Sequence, residues 1–216
     1  MTENSEKTFF TQLEARVVAC LMEKQLTTPN NYPLTLNSLM LACNQKSNRE
    51  PVMNLTEGQT GHTVNQLEAR NLIRIDYGGR SNHISHSVMN ALNLDKQKQA
   101  ILTVLMLRNP LTLNDIKART NRMVQFSDVN EIHQQLQKLI DNDMPKVVRI
   151  PKSLGSREDR YSHLLCGEVK QQEIETHVIS TGRINITKQQ NLEDRVLALE
   201  GKVEKLLITL DEINEK

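Results

Sequence analysis

Aromatic side chains are scarce in this sequence: 216 residues include 3 Phe, 3 Tyr and no Trp. So few rings argue against a surface that binds single strands by base stacking and against an aromatic cage for a cationic ligand. Net charge is almost absent as well, with 27 Lys+Arg against 26 Asp+Glu. That balance excludes a simple polybasic binder of nucleic acid or membrane. The chain has no apolar run of the ~18 residues that a bilayer-spanning helix needs.

The start, Met1-Thr2-Glu3-Asn4-Ser5-Glu6-Lys7, has no basic region followed by an apolar stretch. It does not read as a secretory signal, and a cytoplasmic location is expected. Cys20, Cys43 and Cys166 are far apart, odd in number and without a Cys-x-x-Cys pair. A disulfide framework or a structural zinc site is therefore not expected. Cys20 and Cys43 lie among apolar residues at helical spacing and are expected in the core. His62, His83, His86, His133, His163 and His177 make no metal-spaced pair with a nearby acid. No glycine-rich phosphate loop and no Gly-x-Ser-x-Gly elbow is present. The expectation is a protein with no catalytic residues, no metal and no cofactor.

What the chain does have is a repeat. Pro33-Leu34-Thr35-Leu36-Asn37 recurs 77 residues later as Pro110-Leu111-Thr112-Leu113-Asn114, and Asn44 and Asn121 share that offset. Gln66-Leu67 resembles Gln135-Leu136, and Ile73-Arg74-Ile75 resembles Val148-Arg149-Ile150. The same order of flanking elements points to a duplicated domain.

Each copy reads as three helices and a hairpin. In the first, helices are expected near Gln12–Lys24, Leu36–Gln45 and Glu57–Asn71. Thr11-x-x-Glu14 and Thr56-x-x-Gln59 are capping boxes. Leu13, Val17, Cys20 and Leu21 form the apolar stripe of the first helix. Ile73–Tyr77 and His83–Val88 alternate as strands around Gly78-Gly79-Arg80-Ser81-Asn82. In the second copy, helices are expected near Lys96–Arg108, Leu113–Arg122 and Asp128–Asp141, the last capped by Ser127. Ile101, Leu102 and Leu105 point inward from the first of these. Strands follow at Val147–Pro151 and Arg160–Leu165. Three helices and a two-stranded hairpin make the winged form of helix-turn-helix. The expected fold is α+β, mainly α. It comprises an N-terminal tail (1–10), winged-helix domains at 11–90 and 91–168, a linker (169–191) and a coiled-coil helix (192–214).

Specific motifs carry a family resemblance. Leu13-Glu14-Ala15-Arg16-Val17, Glu23-Lys24-Gln25, Tyr32-Pro33-Leu34 and Ala42-Cys43-Asn44-Gln45-Lys46-Ser47-Asn48-Arg49-Glu50-Pro51-Val52-Met53 resemble the bacterial YceH family. Met123-Val124-Gln125-Phe126-Ser127-Asp128 and Arg157-Glu158-Asp159-Arg160-Tyr161 resemble its second half. The resemblance covers about residues 9–168 and implies tandem winged helices. It implies no catalytic or binding residues, because the family's function is uncharacterised.

The tail follows a different rule. Leu192, Val196, Leu199, Val203, Leu206, Leu210 and Ile213 alternate spacings of four and three, a heptad seam. Val196, Val203 and Leu210 fall at a, and Leu192, Leu199, Leu206 and Ile213 at d, a pattern that favours two strands. In a parallel pair, Lys188 and Arg195 at g face Glu193 and Glu200 at e of the other chain, both attractive. A parallel homodimer is expected; a helix folded back on its own domains, or held by a different partner, is the alternative.

Charge tests whether the winged helices bind DNA. The first copy's third helix carries Glu57 and Glu68 against Arg70; the second copy's carries Asp128, Glu131, Asp141 and Asp143 against Lys138. Neither looks like a phosphate-binding element, and packing is the better reading of the second. Positive charge lies elsewhere: residues 91–168 hold 12 Lys+Arg and 9 Asp+Glu. Lys117, Arg119 and Arg122 cluster at the end of a helix. Lys146, Arg149, Lys152, Arg157 and Arg160 populate the second hairpin. In the first copy, the polar run Asn44, Gln45, Lys46, Ser47, Asn48 and Arg49 carries the residue types that read adenine and guanine edges. Gln59, Asn65 and Gln66 add polar groups to the third helix. The candidate DNA contacts are therefore Asn44, Gln45, Lys46, Asn48, Arg49 and Gln59 for bases. Arg80, Lys117, Arg119, Arg122, Lys152, Arg157 and Arg160 are further candidate DNA contacts, with Arg80 and Arg157 expected at phosphates from the wing tips and the basic second hairpin expected to hold phosphate. A regulatory duplex-DNA binder is the preferred expectation. A protein-interaction scaffold, whose acidic helices face a protein partner, is the alternative.

Overall fold

Caps and breaks set the architecture. A computed structural model describes residues 9–78, 81–108, 110–152 and 158–168. Helix α1 (Gln12–Thr27) opens on a capping box. The Glu14 N–H donates to Thr11 Oγ1 (3.2 Å) and the Thr11 N–H to Glu14 Oε2 (2.7 Å), so two orphan donors are satisfied reciprocally. The helix ends ahead of Pro29, whose ring disfavours a helical residue before it. A 3₁₀ turn (Pro29–Asn31), β1 (Leu34–Thr35), α2 (Leu36–Cys43), α3 (Glu57–Ala69), β2 (Ile73–Asp76) and β3 (His83–His86) complete the first half. Short α4 (Val88–Ala91) leads into α5 (Lys96–Met106), α6 (Leu113–Thr120), α7 (Val129–Ile140), β4 (Val147–Ile150) and β5 (Arg160–His163).

Both sheets are small and antiparallel. The first has order β1-β3-β2, with Leu34 and Ile75 on either side of Ile84. In the second, Arg149 of β4 faces Tyr161 of β5, and an isolated bridge joins Leu111 to Tyr161. Leu34 and Leu111, Ile84 and Tyr161, and His86 and His163 are all 77 residues apart. That is the offset of the Pro-Leu-Thr-Leu-Asn repeat, so strand pairing reproduces the sequence duplication. Two sequence expectations are corrected. The first sheet has a third strand, β1. The α7 cap is Asp128, whose carboxylate accepts from the Glu131 N–H (2.8 Å), and not Ser127.

The described residues fall within one compact unit. Its centre is α1 packed on α5, with α2 and α3 against α1 and α6 and α7 against α5. Every residue from Glu14 to Glu23 of α1 is buried, as is every residue from Gln99 to Met106 of α5. The single apolar stripes expected for these helices are therefore too narrow. A helix enclosed on all sides is apolar all round, as Val17, Val18, Ala19, Cys20, Leu21 and Met22 are. One apolar cluster runs through both halves, from Phe10 to Leu165.

A polar network joins the halves inside this core. His86 Nε2 meets Gln25 Oε1 at 2.8 Å, and Gln99 Nε2 donates to the same oxygen at 2.8 Å. The His86 N–H donates to the Tyr32 hydroxyl (2.7 Å). Burial pushes the His86 imidazole down to about 4, and does the same to His163. The Nδ1 atoms of both rings are buried with no hydrogen-bond partner among the described residues. Among the described residues no helix is long and apolar enough to cross a membrane. The expected linker (169–191) and coiled-coil helix (192–214) lie outside the described residues, as do Arg80 and Arg157.

Candidate nucleic-acid interface

The Asn44–Arg49 turn serves the fold. Asn44 Nδ2 donates to the Leu55 carbonyl (2.8 Å), and the Leu55 N–H donates to Asn44 Oδ1 (2.7 Å). One amide thus closes the loop between α2 and α3. Arg49 is only 4% exposed. Its Nη1 and Nη2 donate to Glu23 Oε1 (3.2 Å) and Oε2 (2.6 Å), and its Nε to the Ala42 carbonyl (3.0 Å). This fork-on-carboxylate geometry consumes the donors that would read a guanine. Arg16, 2% exposed, donates to the carbonyls of Cys43 (3.2 Å) and Pro51 (2.6 Å) from the other side of the loop. The expectation of base contacts from Asn44 and Arg49 is therefore corrected: both are internal braces. Gln45 is half-buried, and Lys46 and Asn48 are exposed. Gln59 is exposed, but its Oε1 accepts from the Thr56 N–H (2.9 Å) as the far half of a capping box.

The second half keeps more of its cations at the surface. Arg119 and Arg122 are exposed at the end of α6, with Lys117 half-buried and donating to the Ser127 carbonyl (3.4 Å). Lys152 is exposed at the end of the β4 strand and lines a groove of about 400 Å³ with Asn114, Arg149 and Asp159. Arg149 itself is held by Asp159. Arg160 is half-buried, and its Nη1 donates to the Pro110 carbonyl (2.9 Å), so it braces the start of α6. A groove of about 600 Å³ lies in the first half, beside the α2 N-terminus, lined by Lys24, Asn31, Thr35, Ser38 and His83.

The faces that α3 and α7 turn outward were underread from sequence. In α3, Thr60, Thr63, Val64 and Leu67 are buried, and His62, Asn65 and Gln66 are exposed. In α7, Ile132, Leu136 and Leu139 are buried, and Asn130, His133 and Gln134 are exposed. Each set stands at i, i+3 and i+4, which places its three side chains on one helix face. Each contains one His, one Asn and one Gln. None of the six side chains has a hydrogen-bond partner among the described residues.

The acids that weighed against these helices sit at their ends. Asp128 is the α7 cap; Glu131 accepts from the Ser127 N–H (2.8 Å) and hydroxyl (2.9 Å) and from Gln97. Those bonds, the Ser127 backbone first, hold the Glu131 carboxyl below its ordinary range. Asp141 takes both carboxylate bonds from Gln137 (2.9 and 2.8 Å). Glu68 of α3 is half-buried and accepts from the Tyr77 hydroxyl (3.4 Å). A charge count cannot find this. The signal was the polar i, i+3, i+4 complement of each buried stripe. Among the described residues no group of three or more His, Cys, Asp and Glu is placed to hold a metal ion.

These elements describe a mixed α+β protein with small antiparallel sheets and two neutral, hydrogen-bonding helix faces. Residues 10–156 match the family described as "Protein of unknown function, DUF480", and the chain belongs to that family. It is 41% identical to a UPF0502 protein of Cellvibrio japonicus over 206 residues, 95% of this chain and 94% of the relative. A UPF0502 protein of Pseudomonas putida is 41% identical over 192 residues, 89% of this chain and 88% of the relative. One from Azotobacter vinelandii is 46% identical over 156 residues, 72% of this chain and 69% of the relative. These matches agree with the YceH-like resemblance read from the motifs.

Proposed function

We propose that this chain is a regulatory duplex-DNA-binding protein of tandem winged-helix type, without catalytic chemistry, that works as a homodimer. The observation that carries this reading is the pair of exposed His/Asn/Gln triads on α3 and α7. In a winged helix the third helix enters the major groove. A face of unpaired donors and acceptors suits base edges there; the carboxylates beside it, Glu68 and Glu131, accept from Tyr77 and from Ser127. The helix order and the β1-β3-β2 sheet of the first half support the winged-helix assignment. Exposed Lys46, Arg119, Arg122, Lys138 and Lys152 supply phosphate contacts. Pairing as a parallel coil through residues 192–214 rests on the heptad spacing. A symmetric dimer suits a palindromic site.

Fluorescence anisotropy of the full-length protein with a mixed-sequence duplex tests the proposal. Micromolar binding that weakens steeply from low to physiological salt supports it. Absence of binding at low salt refutes it and favours the second reading, a protein-interaction scaffold. That reading draws on two exposed apolar side chains, Leu41 of α2 (59% exposed) and Val52 of the following loop (56%).

A further inference from the structure

Resting on the DNA-binding reading, we infer that α3 lies close against the floor of the major groove and selects adenine-containing steps through Asn65 and Gln66. The first support is chemical. The α3 face around His62, Asn65 and Gln66 holds amides and an imidazole, and α3 itself contains no Lys or Arg; exposed Arg70, just past the helix, is tied to Glu14 (2.8 Å) and to the Phe9 carbonyl. Arg and Lys are the readers of guanine O6 and N7, whereas Asn and Gln pair bidentately with adenine N6 and N7. The residues present therefore point to adenine.

The second support is steric and independent. Gly58 lies one turn before His62 and Gly61 immediately before it, both in the N-terminal half of α3, where glycine weakens a helix. The fold does not demand either. A Cβ at Gly58 would meet nothing nearer than Thr56 Oγ1 at 4.0 Å, and one at Gly61 would make an ordinary 3.6 Å contact with Leu36. Both have ordinary backbone angles, since neither is among the positive-φ residues. Gly58, exposed and with room for a side chain, fits an outside surface that must come close to the helix backbone, whereas Gly61 is half-buried and faces Leu36. Gly58 and His62 are one turn apart on the same face as Asn65, so the bare backbone and the reading side chains address the same groove.

The test uses the full-length chain and a labelled mixed-sequence duplex, displaced at fixed salt by three unlabelled competitors of equal length. These are an A·T duplex, a G·C duplex, and the A·T duplex with 7-deazaadenine, which lacks only the major-groove N7 acceptor. The expected result is that A·T competes at least about fivefold better than G·C, the lower end for one bidentate contact. The deaza duplex should lose that advantage, and Asn65→Ala/Gln66→Ala should remove it with folding intact. Gly58→Ala should raise thermal stability while weakening binding. Equal competition by A·T and G·C overturns the inference and leaves DNA binding standing. A deaza duplex as good as the unmodified one also overturns it, moving the preference to groove shape. No binding of any duplex at low salt overturns the DNA-binding reading, and this inference with it.

Discussion

Around the loop between their second and third helices the two halves use their cations differently. In the first, Arg16 and Arg49 are buried at the α2–α3 loop and bonded to carbonyls and to Glu23. In the second, Arg119 and Arg122 stand exposed at the end of α6. The loop accounts for the difference. The first half spans Asn44 to Thr56 between its second and third helices, the second only Asn121 to Asp128. A long loop has backbone groups to satisfy, and internal arginines do so; the Glu50 N–H even reaches the Leu107 carbonyl of the second half (2.9 Å). A polar run in a sequence thus says what groups are available, and loop length helps say whether the fold has already taken them.

The largest expected effect separates the halves. Arg49→Ala leaves the Glu23 carboxylate, among the described residues, with only Lys24 at 3.8 Å and should cost about 3 kcal/mol, the lower end for breaking a buried pair. Arg119→Ala, at an exposed site, should stay within about 0.5 kcal/mol of the parent. Urea unfolding of both variants checks this; equal losses would erase the distinction.

Next in size is a pH effect that the halves share. His86 and His163 titrate at about 4 in the folded chain because burial disfavours their charge, against ~6.5 when unfolded. Between these values the unfolded chain binds more protons, so stability rises with pH. Their contribution is complete above about pH 6.5 and is lost as pH falls toward 4, with about 1–3 kcal/mol assigned to His86. His86→Gln should flatten the decline over that window in unfolding titrations. An unchanged slope would contradict the assignment.

Asn44→Ala should follow, at about 1–3 kcal/mol, because it strands the Leu55 N–H and carbonyl together. Its repeat counterpart Asn121 is exposed, and Asn121→Ala should change little when both variants are unfolded in urea. The smallest effect is on binding alone. Arg122→Ala with Lys152→Ala should lower the slope of log affinity against log salt by about 2, one per phosphate contact, and leave the melting temperature in place.

Much of this fold could be read in the sequence where the signal is local. The Thr11 and Thr56 capping boxes form as expected, and Thr112 caps α6 in the same way. The 77-residue offset reappears in strand pairing. What failed was set by tertiary enclosure. The expected stripes on α1 and α5 missed that these helices pack on each other and are buried all round. The two-residue strand β1 is too short to alternate visibly and exists because Leu34 and Thr35 pair with β3. At the candidate site, Arg49 read as a base contact because nothing local reveals that Glu23, 26 residues earlier, is waiting inside. The α7 acids were weighed by number, when their place at the helix ends decides what they repel.

The most direct test of where the reading surface lies compares two double variants of the full-length protein in duplex anisotropy at one salt concentration. Gln45→Ala/Lys46→Ala alters the α2–α3 turn and Asn65→Ala/Gln66→Ala alters the α3 face. The account predicts a loss of affinity of about tenfold or more for the α3 variant. For the turn variant it predicts only the few-fold loss of one phosphate contact. A turn variant that abolishes binding while the α3 variant binds like the parent would contradict it.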